Sequence, residues 1–279
     1  MSALGFDIGG SNLKAVLKNK NKIIDKRIDP LPADFSALTD LMRSIFIDCS
    51  ITFGRPKKIG IASASLFDAS GKIIFAPNIT YLEGKNLREE ITQKTGVKNI
   101  TLSHDSHAFL KAELAFNPDL KSKNVLLAVL GTGIGGAFTL NGKLVENNNG
   151  WSGEVGKMIL DLKTGRNLEQ LGGAKFIKSS LRISSVWEAK NRALSGDSKA
   201  ISAFEKMGVN LAVGLSGAVN LLGSEVLVLG GGLMTTKKLW LSGFKRTFKA
   251  NLIAPKKDKT ELLLSGTGIF GGAIGSIIS

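Results

Sequence analysis

The sequence predicts an α/β protein built from two duplicated lobes, and three observations carry that prediction. First, two glycine-rich segments begin alike: Phe6-Asp7-Ile8-Gly9-Gly10-Ser11 and Val129-Leu130-Gly131-Thr132-Gly133-Ile134-Gly135-Gly136. Each joins one short apolar run to another, Leu13 to Leu17 in the first case and Ala137 to Leu140 in the second. That is the pattern of a β-hairpin with a tight glycine turn. Second, strand-like and helix-like runs alternate after each hairpin. Third, a length of 279 residues suits two lobes of ordinary size.

The elements follow in order. Strands over 3–8, 13–18 and 22–28, with a turn at Asn19 to Asn21, make a three-stranded antiparallel start. Asp34 or Ser36 caps a helix to about Cys49, with Leu38, Leu41, Met42, Ile45 and Phe46 at helical spacing. A strand at 58–62 comes next, then the Ser70-Gly71 turn, a strand at 72–76 ended by Pro77-Asn78, and a helix from Leu87 to Thr95 that stops at Gly96. A strand at 99–103 runs into His104-Asp105 and a helix from Ser106 to Phe116. The lobe boundary falls in 117–123. Lobe one is therefore expected over 1–117, lobe two over 118–264, and a C-terminal helix over 265–279 that packs back on lobe one. The second lobe repeats the scheme: strands at 124–130 and 136–140, the Asn141-Gly142 hairpin turn, a strand at 143–146, a loop from Asn147 to Gly156 and a strand at 157–161. Helices are expected at 174–182, 184–194, 198–206 and 208–222. A strand at 225–229 ends in Gly230-Gly231-Gly232, a helix starts near Thr236, a strand spans 261–264 and a last helix runs from Ile269 to Ile278.

Composition narrows the function classes. Hydrophobic residues make up 43% and charged residues 22%, enough for sizeable cores. No apolar run approaches the ~20 residues that span a bilayer. The first residues lack a basic segment followed by a long apolar one, so they do not read as a secretory signal, and a cytoplasmic protein is expected. The single cysteine, Cys49, excludes an internal disulfide and a multi-cysteine zinc site; its apolar neighbours make it a core residue. The net charge of +14 raises nucleic-acid binding. Against that, the basic residues form short scattered groups (Lys18 to Arg27, Arg55 to Lys58, Lys121 to Lys123, Lys237 to Lys238, Lys256 to Lys259) with no interleaved aromatics. A solvated surface that attracts anionic small molecules is expected, with neither a nucleic acid nor a membrane as partner.

The hairpin turns suit phosphate. Glycine allows positive φ and removes the Cβ that would hold an anion off the backbone. Gly9, Gly10 and Ser11 would offer donors from one side and Gly131, Thr132 and Gly133 from the other, with Lys14 along the first hairpin. Asp7, at the strand end, could hold a phosphate-bound Mg²⁺ directly or through water; equally, an Asp there hydrogen-bonds its own turn. Gly230, Gly231 and Gly232 would allow close backbone approach to an adenosine, although taken alone the segment reads as a plain strand-to-helix turn. Asp105 stands between a strand end and a helix start, where it is both a good N-cap and the sharpest candidate for a general base that takes a hydroxyl proton during phosphoryl transfer. With phosphate turns on either side of it in sequence, the base is the favoured role. Glu154, in Trp151-Ser152-Gly153-Glu154-Val155-Gly156, suits a polyhydroxylated ligand; Asn78 and Glu169 are weaker candidates. His104 touches the base, while His107 reads as a helix-surface residue.

Taken jointly and in order, these motifs resemble the ROK family of repressors and sugar kinases, within the superfamily that includes actin. Phe6 to Lys14 resembles its first phosphate motif and Leu130 to Gly136 the second. Ala76-Pro77-Asn78 and Leu87-Arg88-Glu89-Glu90 resemble its sugar-loop region, Gly153-Glu154-Val155-Gly156 its sugar motif and Val228 to Gly232 its adenosine motif. Asp105 falls at the family's catalytic aspartate. The resemblance implies a two-lobed actin-like (ribonuclease H-like) ATPase fold, ATP and Mg²⁺ in the interlobe cleft, a sugar acceptor, and a homodimer by analogy.

The departures carry information too. His104 stands where the family has Asn, Ala64-Ser65 where it has Pro-Gly, and Lys157 where it has a histidine facing sugar and zinc. Asp161 to Gly173 lacks the zinc cysteines, while Asn167-Leu168-Glu169 resembles the end of that loop, whose glutamate meets sugar hydroxyls. A zinc-free branch is implied. The expected activity is transfer of the γ-phosphate of ATP to a hydroxyl of a hexose or hexose derivative. The expected substrate contacts are Asn78, His104, Glu154, Lys157 and Glu169. The cationic changes at His104 and Lys157 suggest an acceptor with an acidic group. The alternatives are a kinase of a non-sugar or anionic acceptor, and a non-catalytic sugar or nucleotide sensor; no helix-turn-helix precedes the first strand.

Overall fold

The computed structural model describes residues 2–20, 22–146, 152–253 and 260–278. Asn21 of the first turn, residues 147–151 of the long loop and the Lys256 to Lys259 run lie outside the described residues. The chain divides into two compact units: Met1–Pro118, Glu146–Trp151 and Gly266–Ser279 in one, and Asp119–Val145 and Ser152–Ser265 in the other.

The first unit starts with β1 (Ser2–Ile8), β2 (Asn12–Asn19) and β3 (Lys22–Pro30), followed by α1 (Phe35–Phe53). The side chain of Asp34, not Ser36, caps α1, its Oδ1 accepting from the Ala37 N–H at 2.9 Å. The helix runs past Cys49 because Phe53 and its neighbours keep helical backbone up to Gly54. Then come β4 (Lys58–Ser63), a small antiparallel pair β5 (Leu66–Phe67) and β6 (Ile73–Phe75), α2 (Leu87–Thr95), β7 (Ile100–His104) and α3 (Asp105–Phe116). The main sheet has the order β3-β2-β1-β4-β7, with β1 to β3 antiparallel and β4 and β7 parallel to β1. Phe6, Ile8, Leu13, Ile59 and Ile61 pack with Leu38, Met42 and Ile45 of α1. Burying each such side chain contributes about 1.5–3 kcal/mol.

The second unit builds the same sheet again. It contains β8 (Val125–Leu130), β9 (Ile134–Leu140), β10 (Lys143–Leu144), β11 (Ile159–Asp161), β12 (Arg166–Asn167), α4 (Leu168–Gly172), α5 (Ala174–Leu181), α6 (Val186–Leu194), α7 (Ser198–Leu222), β13 (Val226–Gly230), α8 (Leu241–Asn251) and β14 (Glu261–Leu264). The order β10-β9-β8-β13-β14 repeats the first sheet strand for strand, including the directions. The fold is the actin-like one with duplicated mixed-sheet domains. One correction concerns α7, which is continuous where two helices are expected. Gly208 does not break it: the absent Cβ lets the Trp240 backbone approach, since a Cβ there would lie 2.7 Å from the Trp240 carbonyl oxygen. A second concerns the helix expected from Thr236. Residues Gly232–Leu239 form a 3-10 segment, and α8 starts only at Leu241.

Finally, α9 (Gly271–Ser276) packs within the first unit against β1, β4 and α3. The contact is backbone to backbone: side chains at Gly5, Gly60 or Gly275 would run into the carbonyl groups of Ala273, Ser276 and Ala108. Among the described residues no helix is long and apolar enough to cross a membrane. Cys49 is buried in the first core.

Candidate active site

In the first unit, β1 carries Asp7 to its C-terminal end, and the β1–β2 register sets Lys14 opposite it. Lys14 Nζ lies 2.7 Å from Asp7 Oδ2. Burial pushes the Asp7 carboxyl above its ordinary value; Lys14 pulls it down and the Asp105 charge pushes it up, but burial dominates. The Gly9 N–H closes the turn on the Asn12 carbonyl at 3.0 Å, leaving Gly10 and Ser11 exposed at the tip. None of Gly9, Gly10, Gly131 and Gly133 has positive φ. Of the two properties that suit glycine to a phosphate turn, this structure uses the missing Cβ. At Gly10 that space is bounded only by Asn78, whose Cβ would be 4.0 Å away. Asn78 is thus beside the turn, exposed.

The parallel strands end together, because the registers pair Ile8 with Ser63 and Ser63 with His104. Asp7, Ser63 and His104 therefore emerge along one edge of the sheet. The buried Ser63 and Ser65 hydroxyls are 2.9 Å apart, so Ser65 fills its position with a polar group. The N-cap of α3 is His104, whose side chain makes no capping bond, and Asp105 is the first helical residue. Asp105 is therefore not a cap: its Oδ1 accepts from the Ser106 amide (2.6 Å) and hydroxyl (3.1 Å). No protein donor to Oδ2 is found among the described residues. His104 Nδ1 is 3.3 Å from Asp105 Oδ1. His107, expected on the surface, is buried, on the side of α3 that faces Glu146. Its ring lies 5.3 Å from that of His104 and its Nδ1 3.7 Å from Glu146, which also pairs with Lys111 at 3.0 Å.

In the second unit, the Gly131 N–H closes the turn on the Gly133 carbonyl at 2.9 Å and Thr132 is exposed at its tip. Glu169 lies under this turn. It is 7% exposed, and its Oε2 accepts from the Ile134 N–H at 3.1 Å. A side chain at Gly133 would collide with this carboxylate, so Gly133 keeps room for it. A capping box holds α4 in place: Asn167 and Gln170 exchange bonds of 2.9 and 3.0 Å. Lys157 Nζ is 3.5 Å from both Glu169 oxygens, and Lys175 Nζ is 3.4 Å from Oε1. Lys157 sits in a 3-10 turn, Val155–Lys157, rather than in the expected strand; its amide bonds back to the Glu154 carbonyl at 3.0 Å. Glu154 is half-buried at the start of that turn. The turn is seated on β9 through glycines, with Gly153 against Gly136 and Gly156 against Ile134.

The Gly230-Gly231-Gly232 segment adjoins the second glycine turn. Gly230 ends β13 opposite Val129. Gly231 has φ +92° and lies against the Leu130 backbone, which no other residue could do. The structure thus gathers Asp7, Gly9, Gly10, Ser11, Lys14, Asn78, His104 and Asp105 on one unit. Gly131, Thr132, Gly133, Glu154, Lys157, Glu169 and Gly230 to Gly232 gather on the other. Sequence reasoning missed Lys175, whose one signal is its position in α5 shortly after Glu169. Among the described residues no group of three or more His, Cys, Asp or Glu could hold a metal ion.

The chain is 26% identical to an N-acetyl-D-glucosamine kinase of Vibrio parahaemolyticus, with 98% of this chain and 97% of that protein covered. It is 28% identical to the N-acetyl-D-glucosamine kinase of Erwinia tasmaniensis, covering 85% and 86% of the two chains. Among solved structures, a ROK family glucokinase from Streptomyces griseus in complex with glucose and AMPPNP superposes with a TM-score of 0.84 at 21% identity, over 99% of this chain and 98% of that one. The sequence model of the ROK family matches residues 3–278, and the chain belongs to the ROK family.

Proposed function

We propose that the chain is an ATP-dependent sugar kinase that transfers the γ-phosphate of ATP to a hydroxyl of a hexose or hexose derivative, with Asp105 as general base. The observation that carries this reading is the sheet edge of the first unit. There a turn with two adjacent glycines, a buried Asp7–Lys14 pair and a carboxylate with one uncommitted oxygen emerge from neighbouring strands. Such an arrangement can do phosphoryl transfer, which asks the protein mainly for positioning and charge compensation. The kinases among the relatives support the same class.

Asp105 would accept the proton of the attacking hydroxyl at Oδ2, while Ser106 holds Oδ1 and so fixes the plane of the carboxylate. The turns at Gly9 to Ser11 and Gly131 to Gly133 would donate to phosphate oxygens. Lys14 would hold Asp7 in place, and Gly230 to Gly232 would lie against the nucleoside. Asn78, His104, Glu154, Lys157 and Glu169 would meet the acceptor. The Asp7 carboxylate, buried beside the glycine turn with Lys14 on its Oδ2, is a fitting donor for Mg²⁺, which commonly takes one or two protein carboxylates and completes its shell with phosphate and water. Bound there, Mg²⁺ would supply charge neutralisation of the transferred group. We also infer that no zinc is involved, since the loop of 161–173 holds no cysteine.

The test is a coupled assay of ATP consumption against a panel of hexoses and N-acetylhexosamines, with Asp105→Asn as the control. The variant should lose about 10²–10⁴-fold in kcat while still binding ATP. Unchanged turnover in Asp105→Asn would remove the base, and no turnover with any sugar would remove the kinase.

A further inference from the structure

We propose that Lys157 and Lys175 form an anion-binding subsite, built on the buried Glu169 carboxylate, that selects an acceptor sugar bearing a carboxylate or phosphate group. This rests on the sugar-kinase reading of the same site. The charge accounting differs between the two units. At Asp7 one acid meets one base at 2.7 Å, a fully formed charge-assisted bond. At Glu169 one acid meets two bases, and neither contact is closed: 3.5 Å to Lys157 and 3.4 Å to Lys175. Among the described residues, Glu169 is the one carboxylate that either lysine pairs with. The cluster carries a surplus positive charge.

The geometry makes that surplus available. Glu169 is spoken for on its inner side, where Oε2 accepts from the Ile134 amide. The two ammonium groups arrive from different elements, a 3-10 turn and α5, and each side chain is 53% exposed. An ammonium group has three donors, of which Glu169 engages at most part. A single anionic group bound between them would accept from both lysines while Glu169 keeps them from parting. A neutral hydroxyl would gain less, since only an anion adds a Coulombic attraction between full charges to its hydrogen bonds with the two ammonium groups. Glu169 therefore acts here as the anchor of a cationic fork, beside whatever it contributes to hydroxyl binding.

The experiment uses the full chain with saturating Mg–ATP. The neutral acceptors are D-glucose and N-acetyl-D-glucosamine; the anionic ones are D-gluconate, D-glucuronate and D-glucosamine 6-phosphate. At least one anionic acceptor should exceed both neutral ones tenfold or more in kcat/KM. In Lys157→Met/Lys175→Met the KM for that acceptor should rise at least thirtyfold, with the KM for ATP within twofold of the parent. Lys157→Arg/Lys175→Arg should keep most of the preference, which separates lost charge from lost folding, and melting curves check the latter. A preference for the neutral sugars overturns the proposal and leaves the kinase reading standing. A rise in the KM for ATP in the Met variant also overturns it, because the lysines then serve the donor's phosphates. No turnover of any sugar overturns both.

Discussion

Replacing Gly153 by alanine should detach the loop that carries Glu154 and Lys157 from its seat, and the structure sets the size of the effect. Gly153 has φ +87°, and its Cβ would stand 2.5 Å from the Gly136 carbonyl oxygen and 2.8 Å from the Gly136 carbonyl carbon. The left-handed conformation alone costs an L-residue about 1–2 kcal/mol. A methyl carbon does not approach a carbonyl oxygen much inside about 3.3 Å, so the loop or β9 must yield by about 0.8 Å. Overpacking of that kind costs a further ~1–3 kcal/mol. The two together come to about 2–5 kcal/mol, worth a drop in Tm on the order of 10 °C. Displacement of Glu154, the proposed acceptor contact, by close to 1 Å should cost about 10²-fold in kcat/KM. Gly165→Ala is the matched control, because Gly165 has φ +68° but nothing within 4 Å of its Cβ. It should show only the backbone cost, with the activity retained. Thermal melts and steady-state kinetics on both variants decide the matter. If Gly153→Ala melts with Gly165→Ala and turns over acceptor within threefold of the parent, the Gly136–Gly153 contact does not hold the loop and the reasoning fails.

The other predictions concern charge and helix propensity. Burial raises the Asp7 carboxyl above its unfolded value, so its contribution to stability is full below about pH 4 and is lost as pH rises through the folded value. Asp7→Asn should therefore be more stable than the parent at pH 7.5 and equal to it near pH 3.5 by chemical denaturation, while losing phosphoryl transfer; a less stable variant at pH 7.5 would show that the Lys14 pair outweighs burial. Gly243 lies inside α8 with open space around its Cβ and no positive φ. Gly243→Ala should add about 0.5–1 kcal/mol in denaturant titrations and leave kcat unchanged.

Much of the fold was legible because the cues were local. Asn86 and Gly96 bracket α2, and its ends fall at Leu87 and Thr95, where capping chemistry puts them. The paired glycine hairpins announced two sheets, and the sheets share one topology. What escaped was decided by tertiary packing. Gly208 reads as a helix break only when Trp240 is unknown. His107 reads as a surface residue only when Glu146, some forty residues on, is not yet placed beside α3. The five-residue α4 is too short for any periodicity and exists by virtue of its capping box. For the candidate site, the residues proposed for the nucleotide side stand out in the sequence as candidates, because backbone-only recognition would put glycine in a contiguous pattern. Lys175 could not, since one lysine on a basic surface helix carries no sign that it faces a buried carboxylate.

This difference follows from how the two sides of the reaction are recognised. A phosphate can be held by main-chain amides, and main-chain geometry is written in runs of adjacent residues: Gly9 to Ser11, Gly131 to Gly133, Gly230 to Gly232. An acceptor has to be distinguished from other hydroxyl compounds, which takes side chains converging from separate elements. Around Glu169 those are the turn at Val155–Lys157, the first turn of α4 and α5, brought together by glycine contacts at Gly133, Gly153 and Gly156. Gly153 and Gly156 have no proposed ligand of their own, and all three glycines act here through packing. They allow a carboxylate to be buried under the glycine turn, and once it is buried the balance of charge around it can be changed by one lysine from α5 without touching the proposed nucleotide side. On this reading acceptor choice can shift while the two glycine turns stay the same, and the surplus charge at Glu169 is where such a shift would be read.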